Sequence, residues 1–377
     1  MGRLIFKSLF FSFITFSAMA QLPNQAFYDS DSSTEAYHKN IFLKLNLLPF
    51  TKNNEYFNPI ADGYTLFGYQ ANPSLVYGPT PETRIEAGVF LRKDFGAPGI
   101  YEIQPTFSFM VNHGFAKIIF GTLDSDLNHR LIEPLLDFEK TLVDPIENGM
   151  QIKMESESLF IDAWLEWETM IYKGDKRQEE MFGGISINKS LSRGNSKFEF
   201  PLQAIIYHKG GSIDANPNPL QTSINTGTGF VWNFTPRVDR SNQFSFYYVY
   251  YKDFSKEKRQ TFVDGNGYYF NLLHEFGPSI KLMLSYWKGN EFISLMGGQL
   301  YPSVSSRFKR SWEVEPYRQL IILRFFHEIK INEHLIITSR FEPHIDLENG
   351  NFEFSNGFYI NFREKFPLWK NIQSKRW

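Results

Sequence analysis

The sequence predicts an all-β chain, a transmembrane antiparallel β-barrel of about 16–18 strands with a short helix in one long loop. Three observations predict it. A period-two rhythm of apolar and polar residues recurs along the chain, which is the pattern of a strand with two unlike faces. The N-terminus reads as an export signal, and no later run is apolar enough for a membrane helix. The rhythmic segments run to about 9–13 residues, matching the roughly 9–11 needed to cross a bilayer at a tilt.

The export signal occupies residues 1–20. Arg3 and Lys7 are its basic region, residues 9–16 its apolar core, and Ala18 and Ala20 an A-x-A cleavage site. Residues 21–40 are polar and irregular and read as a periplasmic arm. The barrel is expected over 41–366 and a tail over 367–377. The chain of 377 residues carries a net charge of −2, which supplies no pull toward nucleic acid. It has no Cys, which excludes disulfides and thiolate metal sites. Phe, Tyr and Trp make up 17% of it. They crowd strand ends at Trp164, Trp167, Tyr247, Tyr248, Tyr250, Tyr251, Tyr268, Tyr269, Tyr286 and Trp287, where interfacial girdles of barrels sit.

In chain order, strands are expected at 64–77, 84–95, 102–111 and 116–122. Residues 123–148 break the rhythm: Leu131, Leu135, Phe138 and Leu142 follow helical spacing, with Pro134 near a first turn. The segment 149–170 is the clearest hairpin. Met150, Ile152 and Met154, then Ile161, Ala163, Leu165 and Trp167, alternate with polar residues about a short turn at 155–158. Further strands are expected at 181–191, 197–209, 220–234, 243–252, 267–276, 279–288, 292–301, 318–331, 334–346 and 352–366. Two weaker candidates, 41–48 and 308–314, raise the number from sixteen to eighteen. Eighteen is favoured, because it puts the long connections on one side and the tight turns on the other, with both termini periplasmic.

Near the C-terminus, Ser355, Gly357, Ile360 and Phe362 resemble the final-strand signal read by the outer-membrane barrel assembly machinery. The chain as a whole resembles uncharacterised porin-like outer-membrane proteins of the Bacteroidota. Residues 73–94, 128–134, 147–149 and the region from Arg318 carry that likeness. The resemblance implies a Gram-negative outer-membrane location, contact with outer-membrane lipids and insertion by the assembly machinery. It leaves oligomeric state open.

The charge pattern suggests a lumen. Glu155, Glu157, Asp162, Glu166 and Glu168 form an acidic wall. Arg84, Arg92, Arg324, Arg340, Arg363 and Lys365 form a basic wall half a circumference away. Facing walls of opposite sign set a transverse field across a pore. The 123–148 loop could narrow that pore with Arg130, Glu133 and Asp137. The expected function is therefore a passive channel for small polar solutes, without enzymatic activity, cofactor or metal. A non-conducting barrel anchoring an envelope assembly is the second reading, and an envelope enzyme the third.

Enzyme chemistry has little local support. Barrel-embedded lipid hydrolases resemble one another in a His and a Ser two positions apart, and none of the eight histidines has that neighbour. His344 and Asp346 share a strand face and can pair. Asp124, Asp126 and Asn128 have the spacing of a calcium loop's first ligands, but His129 and Leu135 stand where such a loop needs Gly and Glu.

Overall fold

The structure is a computed structural model that describes residues 22–27, 34–124, 129–237 and 240–370. The expected signal peptide at 1–20, and residues 371–377 of the expected tail, lie outside the described residues. The strands are β1 (Ile41–Glu55), β2 (Tyr64–Thr80), β3 (Thr83–Asp94), β4 (Glu102–His113), β5 (Ala116–Thr122), β6 (Asn148–Glu155), β7 (Leu159–Thr169) and β8 (Glu180–Arg193). They continue as β9 (Ser196–Lys209), β10 (Gln221–Arg237), β11 (Arg240–Asp253), β12 (Asp264–Glu275), β13 (Ile280–Asn290), β14 (Tyr317–Lys330), β15 (Leu335–Asp346) and β16 (Asn351–Trp369). Each pairs antiparallel with its chain neighbours, and β1 pairs with β16, so the sheet closes. Closure leaves no free sheet edge to face hydrocarbon, which is what permits strands to span a membrane.

The outward faces follow the alternation. On β7, Ile161, Ala163, Leu165 and Trp167 point away from the lumen, while Phe160, Asp162, Trp164 and Glu166 are buried inside. Short turns after β2, β4, β6, β8, β10, β12 and β14 lie at the end that carries both termini. By the usual asymmetry of these barrels that end is periplasmic, and the long loops are outside.

Sixteen strands close the barrel, not eighteen. Residues 41–48 are a strand, longer than expected because β1 runs on through Pro49 to Glu55. Residues 292–301 and 308–314 are not. They belong to the long β13–β14 loop, and Phe292, Ile293 and Tyr301 bury their side chains inside the barrel. An apolar residue that alternates against an inner core looks, in sequence, like one that alternates against lipid. Because the two lost strands are consecutive, every other loop keeps its side.

The helix is also smaller than expected. Only one turn forms, α1 (Lys140–Val143). Leu131, Leu135, Phe138 and Leu142 are all buried, but on an irregular chain. His129 and Arg130 hold φ of +55° and +56°, a left-handed conformation that bars an α-helix from starting there.

The aromatic girdle is half as full as the sequence suggested. Tyr248, Tyr268 and Trp167 face outward, but Trp164, Tyr247, Tyr251, Tyr269 and Trp287 are buried inside. With Leu131, Ile132, Leu135, Leu136, Phe292 and Tyr301 they form an apolar core within the barrel. Two glycines make room for it. A Cβ on Gly184 would meet the Trp164 ring at 2.3 Å, and one on Gly267 would meet Trp287 at 2.3 Å. A second inner cluster joins Phe50, Phe138, Leu142 and Tyr359 to Leu22 and Phe27. The N-terminal segment, expected as a periplasmic arm, thus packs inside the barrel at these residues.

Candidate functional site

The lumen site is built by residues 123–124 and 129–147, the described parts of the loop between β5 and β6. Its backbone is tied to the wall by Gln203 of β9, whose amide donates to Arg130 O at 2.9 Å and accepts from Ile132 N at 3.1 Å. It is tied to the 291–316 loop as well: Asp137 N donates to Met296 O at 2.9 Å, and Ser294 Oγ to Pro134 O at 2.7 Å. Asn225 of β10 holds that second loop through Ile293 O and Leu295 N, each at 2.8 Å.

The charged side chains of the first loop sort by the wall they face. Toward β6 and β7 it presents cations. His129 Nδ1 lies 3.0 Å from Asp162 and Nε2 lies 2.7 Å from Glu147. Its ring stacks on Trp164 at 3.7 Å, on the flat bed that Gly184 leaves. Gln151 donates to Asp162 at 2.8 Å. Lys140 Nζ lies 3.2 Å from Glu166, 3.4 Å from Glu147 and 3.7 Å from Asp144. Arg130 reaches Glu155 at 2.8 Å across the Phe160 ring. Toward β1, β14 and β15 the loop presents anions. Glu133 bonds Arg324 and Tyr301, and Arg324 also pairs with Glu342 at 3.0 Å. Glu139 bonds Tyr64, accepts from Asn54 at 2.8 Å and lies 3.5 Å from Lys52. Asp137 is buried beside Glu139.

The electrostatics follow from these contacts. Burial alone would lower His129, but the Glu147 and Asp162 carboxylates hold it up at about 9. Burial opposes ionisation of Glu147, yet His129 and Lys140 hold it down at about 2. Burial, then the neighbouring Glu139, push Asp137 up to about 8. Lys140 stays charged, because its three carboxylates outweigh its desolvation.

The charges of the residues expected to form two pore walls are largely taken up by local partners. Asp162, Glu166 and Glu155 pair with the loop, Glu157 lies in the exposed turn after β6, and Glu168 is exposed near the rim. Arg84 pairs with Glu86 at 2.9 Å and sits over Tyr37, as Lys365 does. Arg92 pairs with Asp94 at 3.0 Å. Arg340 donates to Asn24 and is ringed by Phe27, Phe138, Phe326 and Tyr359. Of the constriction candidates, Arg130 and Glu133 bridge to opposite walls. The loop spans the lumen rather than narrowing it.

Beside the loop lies a cavity of about 270 Å³, bounded by β1–β4, β16 and residues 138–147. Lys140, Glu147, Asp144 and Asp124 face it, with Arg84 and Arg363 on the opposite side. Asn46 Oδ1, Asn72 Oδ1 and Asn361 Nδ2 are buried in its lining without a hydrogen-bond partner among the described residues. Phe27, Phe90, Phe107 and Phe138 supply apolar surface. A lining that mixes cations, amides and rings suits an amphiphile. Asp124 is engaged by Lys117 at 3.0 Å and Lys153 at 3.3 Å, and the rest of the expected calcium loop, residues 125–128, lies outside the described residues.

A second group lies nearer the outer end. His344 does not pair with Asp346. Its Nε2 meets Glu353 of the neighbouring strand at 3.1 Å, while Asp346 takes Arg318 at 2.8 Å. Ser355, two residues from Glu353 on the same inner face, is hydrogen-bonded to Tyr56. Strand register, not chain distance, sets His344 opposite Glu353 and Ser355 opposite Glu342, which a search along one strand misses. In the final-strand signal, Ser355 and Gly357 face inward and Ile360 and Phe362 outward, and the strand continues to Trp369.

A family model described as Lipid A 3'-O-deacylase-type matches residues 31–371. No protein of curated function matches the chain. Among solved structures it is similar to the Pseudomonas aeruginosa outer-membrane protein OpdK, with a TM-score of 0.51, 9% identity, and coverage of 87% of this chain and 99% of that one. It is similar to Pseudomonas aeruginosa OprD at a TM-score of 0.50 and 11% identity, covering 90% and 99%. It is also similar to Acinetobacter baumannii OccAB4 at 0.50 and 10%, covering 90% and 100%. At such identities the likeness is one of fold: an outer-membrane β-barrel of a Gram-negative bacterium. The family match overturns two expectations, the passive solute channel and the absence of enzymatic activity, because the family's description is that of a lipid A hydrolase.

Proposed function

The chain belongs to the Lipid A 3'-O-deacylase-type family, and from that premise we propose that it hydrolyses an ester-linked acyl chain of a lipid A-type glycolipid. The observation that carries the reading is the cavity in which a buried cation, Lys140, and a carboxylate, Glu147, face a space lined by both polar and apolar side chains. In this reading the ester carbonyl oxygen lies against the Lys140 ammonium, which stabilises the charge that develops there. Glu147 orients a water and accepts its proton. Lys140 is one of the groups that hold Glu147 ionised, so drawing Lys140 to the carbonyl makes Glu147 a better base. Water oxygen bonds to the carbonyl carbon, the ester C–O bond breaks as Glu147 returns the proton to the leaving sugar oxygen, and the products are a fatty acid and the sugar hydroxyl. His129, clamped between Glu147 and Asp162, is a positioning residue. It is charged at neutral pH and has no free ring nitrogen with which to act as a base.

A second reading rests on the outer group. In it Ser355, which shares an inner face with the His344–Glu353 pair and is hydrogen-bonded to Tyr56, would turn to His344 as nucleophile to base, with Glu353 orienting the ring. The experiment is mass spectrometry of lipid A incubated with the purified barrel. Loss of one acyl mass is expected from the wild type. Its reduction by about 10²–10³-fold in Lys140→Met but not in Ser355→Ala supports the first reading, and the reverse supports the second. An unchanged lipid A across acylation variants would remove the hydrolase reading.

A further inference from the structure

Two strands are too short to cover the membrane. β5 has 7 residues and β6 has 8, against 11 or more in every other strand. About 9–11 tilted residues are needed to cross. Their lower ends meet the turns of their neighbours, so the deficit lies toward the outer leaflet. There β4 pairs with β5 only from Ser108 to His113, leaving residues 102–107 without a paired strand on that side among the described residues. On the far side, β7 pairs with β6 only up to Glu166.

The edge so exposed is built for it. A backbone donor left unpaired against lipid is strongly destabilising. At that edge Pro105 has no N–H to leave unpaired. The Phe107 N–H is taken by the Thr122 side chain at 3.1 Å, and Thr122 in turn donates to Asn148 at 3.1 Å. Outside, the notch is rimmed by exposed apolar groups: Ile103, Phe107, Phe120 and Met150. Inside it lies the cavity, and Phe107, which points outward from β4, lines that cavity together with the inward Thr106 and Ser108. The notch and the cavity thus share residues 106–108 of β4 as a common wall.

The geometry points to a lateral entry: an acyl chain of an outer-leaflet lipid passes between β4 and β7, over the ends of β5 and β6, into the lumen cavity. The occupant is an acyl chain because the rim is apolar and opens at the level of the bilayer. This inference rests on the reading of the substrate as an acylated membrane lipid.

The test uses the intact barrel in vesicles of phospholipid that carries a diazirine on one acyl chain. After illumination, cross-links are mapped by peptide mass spectrometry. Labels are expected on the inward Thr106, Ser108, Met110 or Phe138, and not on the inward Ser245 and Ser285 of the opposite wall. Labels confined to the outward Ile103, Phe109, Phe120 and Met150 overturn the inference. In Thr122→Trp, checked for barrel formation by heat-modifiable mobility, a ring in the notch abolishes the inward labels; inward labelling that survives it also overturns the entry route. Inward labelling together with lipid A left intact in the mass-spectrometric assay removes the hydrolase reading and leaves the notch. Hydrolysis without inward labelling does the opposite.

Discussion

The arc β9–β14 and the arc β4–β7 are parts of one sheet with opposite interiors. Along β9–β14, Ile205, Val231, Tyr247, Tyr251, Tyr269, Trp287 and Leu320 pack against the two inserted loops as a globular core packs. Along β4–β7 the inner face is mixed: Trp164 joins the apolar core, but Thr106, Ser108, Gln151, Asp162 and Glu166 meet charges and a cavity. The outer faces of both arcs are alike, because lipid asks the same of each. What differs is the partner inside. One arc anchors the loops by apolar contact, and the other keeps groups that can act on a ligand. Stability and chemistry are thereby separated around the ring.

That separation can be broken at several points. The largest effect is expected at the apolar arc. Trp287→Ala empties a site buried among Tyr269, Phe292 and Tyr301, and truncation of a buried Trp costs about 3–5 kcal/mol. The unfolding transition in detergent should fall accordingly, with any hydrolysis lost only where the fold is lost. Next comes the charged arc. Lys140→Met should reduce ester hydrolysis by about 10²–10³-fold while the unfolding transition moves less than in Trp287→Ala. A variant that unfolds without a selective loss of hydrolysis would show that Lys140 is only a strut.

The third effect depends on pH. His129 is held at about 9, above its ordinary 6.5. A raised folded-state value means that its contribution is complete below about 6.5 and is lost as pH rises through about 9. Unfolding temperature should therefore decline across that window, and His129→Gln should flatten the decline. The smallest effect is expected at Arg130. Its partner Glu155 is more than half exposed, so Arg130→Ala should shift stability by no more than about 1 kcal/mol, measured against the same transition. A larger shift would mean that the stacking on Phe160 matters more than the ion pair.

Much of the fold was legible. The hairpin at 149–170 declared its lipid face at Ile152, Met154, Ile161 and Leu165, and β6 and β7 carry those residues outward. The inward placement of Asp162, Glu166, Arg84, Arg324 and Arg340 was legible too. Their partners were not. Glu133 and Arg324 are 191 positions apart, and Asn24 and Arg340 are 316 apart. No periodicity links such residues.

The same limit explains the strand number, the helix and the site. Alternation is a local property that the bilayer imposes on one side of a strand, so a single sequence determined the outward faces, the barrel class and the sidedness of the loops. Residues 292–301 alternate as strands do, but whether they meet lipid or an inner core depends on whether a loop folds into the barrel. That choice belongs to the tertiary structure. So does the meeting of Lys140 with Glu166, and of His344 with Glu353, because cross-strand register and the path of a loop through the lumen place them together. The sequence decided which side of each strand faces the bilayer; only closure of the sheet around the inserted loops decided what the other side holds.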